Sequence, residues 1–153
     1  MLRHNFTDST DTLVLDISSA YDVPELKKLE RKFVYSRLGS GSLRVTDEVT
    51  FSRPCDFATA LITFSQWKQL SPSSARSSEG LASLMFYDSG EALRVDIKVT
   101  GAGFEIRPET IQEDLSGHRK PTRLGINLKG PVTHALISLT ITPINPAPAA
   151  GAG

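Results

Sequence analysis

Leu43-Arg44-Val45-Thr46-Asp47-Glu48-Val49-Thr50-Phe51 decides the fold class. Its odd positions are apolar apart from Asp47 and its even positions are polar or charged, a period of two that places alternate side chains on opposite faces of an extended chain. One face can be buried while the other meets water, so the stretch reads as a half-buried β-strand. Leu93-Arg94-Val95-Asp96-Ile97-Lys98-Val99 repeats the alternation. Residues 56–64, 81–87 and 132–141 are apolar with fewer charged interruptions, and they are expected to form central strands covered on both faces.

Between these runs lie turn residues. Gly39-Ser40-Gly41 separates residues 32–38 from 43–51, and Asp88-Ser89-Gly90 separates 81–87 from 93–99, so both pairs read as antiparallel hairpins. Gly130-Pro131 likewise divides 123–128 from 132–141. Helical character is confined to residues 23–30, where Pro24 suits a first-turn position and Glu25, Lys27, Lys28 and Glu30 favour helix; one short turn at most is expected there. Ser71-Pro72-Ser73-Ser74-Ala75-Arg76-Ser77-Ser78-Glu79-Gly80 is too rich in serine to bury apolar area and is expected to be an exposed loop. The Pro/Ala/Gly segment 145–153 reads as a disordered tail or linker, leaving residues 1–144 as one domain. The fold class is therefore expected to be all-β, an antiparallel β-sandwich of about ten strands with two sheets packed face to face.

Composition narrows the function classes. The 153 residues carry 17 Lys and Arg against 17 Asp and Glu, a balance that argues against a general nucleic-acid binder. A hydrophobic content of 39% together with 11 glycines supports one core of domain size. The single cysteine, Cys55, has no partner for an internal disulfide or a cysteine-rich zinc site. No apolar run approaches the roughly 18 residues of a membrane span, so no membrane association is expected. Met1-Leu2-Arg3-His4-Asn5 lacks the apolar core of a signal peptide.

Candidate chemistry is sparse. His4, His118 and His134 are the only histidine bases, none at metal-ligand spacing, and no catalytic residue, metal or cofactor is expected in this chain. His134 reads as a core or rim residue at the start of a strand, and His118 as part of a solvated loop. Asp47 is the exception to the pattern because it falls on an apolar face. A buried carboxylate needs a partner, here an arginine or tyrosine hydroxyl from a neighbouring strand, unless a bulge turns it outward; a catalytic acid is the third reading. Charge is also unevenly placed: residues 27–53 hold seven basic side chains (Lys27, Lys28, Arg31, Lys32, Arg37, Arg44, Arg53) against three acidic ones, and His118, Arg119, Lys120, Arg123 and Lys129 form a cluster without acids. Arginine matches carboxylate and sulfate by paired hydrogen bonds, so Arg31, Arg37 and Arg44 are candidate contacts for an acidic glycan. Trp67 and Tyr21 are the candidate sugar platforms. The plain alternative is a solvated strand face with both aromatics packed at the core or its rim.

The ordered strings Asp16-Ile17-Ser18-Ser19-Ala20-Tyr21, Leu29-Glu30-Arg31-Lys32-Phe33-Val34-Tyr35, Leu43-Arg44-Val45-Thr46-Asp47-Glu48-Val49 and Phe57-Ala58-Thr59-Ala60-Leu61-Ile62-Thr63 resemble the C-terminal β-region of heparinase II/III-like proteins, over about residues 12–65. The resemblance implies a larger parent, a polysaccharide lyase with an upstream α/α-toroid as its catalytic partner domain, which cleaves uronate-containing chains by β-elimination. It implies a periplasmic or secreted location. The family's catalytic tyrosine and histidines and any zinc ligands lie upstream of this segment, so none is carried onto Tyr21, Tyr35 or His134, and the chain alone is expected to be inactive. Two other readings stand beside this one: an autonomous carbohydrate-binding module for acidic glycans using the basic strands and Trp67, and a structural packing domain with no ligand.

Overall fold

The computed structural model describes residues 3–76, 79–112 and 120–144. Among the described residues eleven strands follow one another: β1 (Arg3–Phe6), β2 (Thr10–Asp16), β3 (Leu26–Ser36), β4 (Ser42–Cys55), β5 (Ala58–Thr63), β6 (Gln66–Arg76), β7 (Glu79–Asp88), β8 (Glu91–Thr100), β9 (Phe104–Thr110), β10 (Thr122–Leu128) and β11 (Val132–Ile144). They build an eight-stranded sheet in the order β1-β2-β3-β4-β11-β8-β7-β6 and a three-stranded sheet in the order β5-β10-β9. Every pairing is antiparallel. The expected all-β sandwich is thus the observed architecture.

Alternation explains which face is buried. In the large sheet Val45, Val49 and Phe51 of β4, Ala135, Ile137 and Leu139 of β11, Val95, Ile97 and Val99 of β8, and Ala82, Leu84 and Phe86 of β7 share one face by register. Most of these pack against Phe104, Leu124 and Ile126 of the small sheet, while Val49, Phe51 and Ala135 form a second cluster with Leu29, Ala102 and Val132. The chain changes sheets at β4–β5, β5–β6, β8–β9 and β10–β11, so both layers are woven from one sequence. Gly101, at φ +104°, makes the β8–β9 corner, where a Cβ would stand 2.7 Å from the His134 carbonyl oxygen.

The hairpin turns fall where glycine allows them. Ser89 and Gly90 both have positive φ between the paired Asp88 and Glu91, the geometry of a two-residue type I′ turn. Around Gly39-Ser40-Gly41, β3 and β4 pair from Ser36 opposite Ser42 back to Leu26 opposite Phe51. A register shift between Leu26 and Lys28 lets both Leu26 and Leu29 face inward despite their odd spacing.

Three local expectations are corrected. The segment 71–76 is not loop: its backbone belongs to β6, paired with β7 through two register shifts. An edge strand needs ladder hydrogen bonds on one side only, which serine provides as well as valine; residues 77 and 78 lie outside the described residues. The helical turn is not at residues 23–30. Pro24 instead occupies a β-turn closed by the Leu26 N–H donating to the Val23 carbonyl at 3.0 Å, and β3 begins at Leu26. The single 3₁₀ turn among the described residues is Ser18–Ala20, where the Ser18 N–H donates to Asp16 Oδ1 at 2.9 Å.

The third correction concerns the apolar runs. None is covered on both faces: β5 is an edge strand with Ile62 exposed, β7 leaves Leu81 exposed, and β11 turns His134 outward. Their outer faces are open because the described residues supply only two layers. The proposed tail, residues 145–153, lies outside the described residues.

Candidate functional site

The small sheet is only three strands wide, so it cannot cover all eight strands beneath it. Where its edge strand β5 stops, the inner face of β3 and β4 opens as a groove of about 450 Å³. Its floor is Leu26, Leu29, Arg31, Asp47 and Phe51, one wall is 57–60 with Arg123 behind it, and Tyr21 and Val23 form the rim. This volume lies within the range of small-ligand clefts.

Asp47 lies at the bottom, only 4% exposed. Register places Arg31 directly opposite it on β3. The guanidinium donates from Nε to Oδ1 at 2.6 Å and from Nη2 to Oδ2 at 2.7 Å, a two-point pair, and Nη2 also reaches Thr59 Oγ1 at 3.3 Å. That last contact links the two sheets. The bond to Asp47 raises the Arg31 pKa above its already high ordinary value, so the guanidinium stays charged at any physiological pH. The groove is lined by two arginines and two carboxylates, Asp47 and Asp56, with apolar walls. Its charges are therefore largely balanced.

The four sequence-derived glycan candidates do not converge. Arg31 is in the groove, its side chain 34% exposed. Arg37 lies past the end of β3, where it donates to Asp11 Oδ2 at 2.5 Å and covers the Tyr35 ring at 5.3 Å. Arg44 projects from the opposite face of the large sheet, as its neighbours Val34 and Thr140 require. Trp67 is on β6 at the far edge of the sheet and packs half-buried against the core.

The histidines are similarly dispersed. His4 on β1 tilts against Phe6 with ring centroids 5.4 Å apart. His134 Nε2 is 3.4 Å from Glu48 Oε1, while His118 and Arg119 lie outside the described residues. Among the described residues no three His, Cys, Asp or Glu side chains cluster to hold a metal ion, and no helix is long and apolar enough to cross a membrane.

Thr59, Arg123 and Asp56 were not singled out together by the sequence, since they come from different strands or corners and only the sandwich brings them to one groove. Arg31 was traceable: counting equal steps outward from the Gly39-Ser40-Gly41 turn sets it opposite Asp47.

The class of molecule is then a two-layer antiparallel sandwich with one wide sheet partly uncovered. No family model matches the sequence, and no curated protein does. Among solved structures the chain is similar to a mutant of the heparan sulfate lyase HepC from Pedobacter heparinus, with TM-score 0.61 and 10% identity, over 96% of this chain and 22% of that chain. It is also matched to heparinase III, the BT4657 gene product, at TM-score 0.49 and 15% identity over 94% of this chain and 21% of that one. The chain thus spans about a fifth of the length of the proteins it matches. At these identities the likeness is one of fold.

Proposed function

We propose that this chain is the non-catalytic, C-terminal β-sandwich domain of a heparinase II/III-like polysaccharide lyase. The observation that carries the reading is the superposition on the HepC structure, which takes in nearly all of this chain but only 22% of that one. A domain with a larger partner accounts for both fractions. The parent would cleave acidic, uronate-containing polysaccharide by β-elimination: a base removes the proton α to the carboxylate, neighbouring groups neutralise the developing charge, and an acid protonates the leaving oxygen.

The described residues suit a supporting role. Arg31 and Asp47 satisfy one another, and the described histidines, His4 and His134, stand on separate strands away from the groove, so among the described residues it holds no histidine base. In this reading residues 1–144 support an upstream α/α-toroid, residues 145–153 are a tail, and the parent is periplasmic or secreted. Incubation of the isolated chain and of its natural full-length parent with heparan sulfate, alginate and related uronates, followed by ultraviolet absorbance, tests it. Unsaturated product from the parent and none from the isolated chain is expected. Product from the isolated chain would overturn the non-catalytic role, and none from the parent on any uronate would overturn the lyase assignment.

A further inference from the structure

The uncovered outer face of the eight-stranded sheet carries an arrangement that the groove does not. Register aligns Lys32, Thr46, Ser138 and Lys98 in one row across β3, β4, β11 and β8, and Val34, Arg44, Thr140 and Asp96 in the next. Two shallow depressions meet at Arg44. One, of about 310 Å³, is bordered by Lys32 and Thr46; the other, of about 520 Å³, by Lys98, Ser138 and Thr140.

The charges on this face are not balanced pair by pair. Its acids are already engaged: Glu48 accepts from Lys28 Nζ at 2.8 Å, Glu30 lies 3.6 Å from Arg3, and Asp96 accepts from Ser83 Oγ at 2.5 Å and from Arg94 Nε at 2.9 Å. Lys32, Arg44 and Lys98 are exposed and have no hydrogen-bond or ion-pair partner among the described residues. Three free cations therefore surround a floor of hydroxyls.

We propose that this trough binds a linear acidic polysaccharide, with Lys32, Arg44 and Lys98 each meeting a sulfate or carboxylate and Thr46, Ser138 and Thr140 meeting sugar hydroxyls. Three strand spacings separate β3 from β8, about 14 Å, too far for one small anion and suited to successive charged groups on a polymer. Exposed cations favour such a ligand by electrostatic attraction, and Arg44 adds two-point recognition. The trough has no aromatic side chain on which a nucleic-acid base could stack, which favours a glycan over a single-stranded nucleic acid. The trough stands on geometry and charge; the choice of glycan rests on the proposed function.

Titration of the chain with heparin, with unsulfated polygalacturonate, with neutral dextran and with single-stranded DNA tests the assignment. Binding to at least one acidic glycan, weakening with salt, is expected, with none to dextran and weaker binding to DNA. Lys32→Ala, Arg44→Ala and Lys98→Ala are each expected to weaken it about three- to tenfold, in line with the loss of one charged contact. The triple variant should abolish it, and Arg37→Ala should leave it unchanged. Thermal melting of each variant checks folding, since all three positions are exposed but Lys32 lies opposite the buried Val14. Undiminished glycan binding by the folded triple variant, no binding to either acidic glycan at low salt, or tighter binding to DNA would each overturn the proposal. The lyase assay on the parent is independent of all these outcomes, so a failed trough and a failed domain assignment are distinguishable.

Discussion

The two ends of the large sheet follow the same alternation and reach opposite results. Beneath the small sheet, the inward face of β7, β8 and β11 is continuously apolar, with Leu84, Ile97 and Ile137 almost wholly buried. Toward β1 and β2 the same face has no second layer, and it carries His4, Phe6, Asp11 and Tyr35, with Phe6 64% exposed. There Leu13, Leu15 and Phe33 on the same face are only half-buried, and polar contacts such as Arg37 to Asp11 stand beside them. Asp47 and Arg31 mark the border. On β4, Asp47 has apolar neighbours on both sides of its own strand, yet on β3 it faces the first charged side chain of the overhang. A period of two specifies two faces; what covers each face is decided by the other sheet.

If coverage is what separates the ends, the largest loss should come from beneath the small sheet. Phe104→Ala empties the position of a ring that is fully buried between the layers. A loss of about 4 kcal/mol in unfolding free energy is expected from denaturant titration. The border residue comes next. Asp47→Asn leaves the Arg31 guanidinium without its counter-charge, and removing one partner of a fully buried pair costs about 3–5 kcal/mol. Because the Arg31 side chain is 34% exposed, water compensates in part and about 2 kcal/mol is expected. A cost as large as that of Phe104→Ala would mean that the border is as dry as the core and would break the distinction.

Gly80→Ala tests coverage from the other direction, by adding an atom. A Cβ at Gly80 would stand 2.5 Å from Phe104 Cδ1, a ring that is fully buried. Overpacking costs about 1–3 kcal/mol, offset in part by the chain entropy that alanine removes relative to glycine, so a net loss of about 1 kcal/mol is expected. If Gly80→Ala stabilises the chain, the layers are looser over β7 than its burial implies.

These comparisons also show how far the sequence could be read. Strand alternation in residues 43–51 and 93–99 and both glycine-containing turns were legible, because local sterics and the burial of one face act within a few residues. The serine-rich residues 71–76 were not, since an edge strand is held by backbone pairing that composition does not report. Asp47 was conspicuous because it violated its own pattern. Tyr21, Thr59 and Arg123 obey theirs, and reach the groove only through turns and sheet changes whose geometry depends on distant residues. The same holds for Lys32 and Lys98, ordinary polar-face residues until β11 inserts between β4 and β8 and brings their strands into one sheet.

The smallest effect should lie on the outer face, where neither end is covered. Glu48 on β4 accepts from Lys28 at 2.8 Å and lies 3.4 Å from His134 Nε2. The hydrogen bond from Lys28 holds its carboxyl below the ordinary glutamate range, against a smaller desolvation in the other direction. A carboxyl whose pKa is lower in the folded state than in the unfolded chain stabilises the fold above its unfolded pKa, and the contribution is lost as pH falls through the folded value. Glu48→Gln should therefore cost about 0.5 kcal/mol near neutral pH, the scale of a partly exposed pair. The cost should vanish in acid, so that wild type and variant converge in unfolding titrations carried from pH 7 down to pH 3. A difference that persists at the acid end would mean that Glu48 acts through packing, and the outer face would then resemble the covered core more than the open sheet.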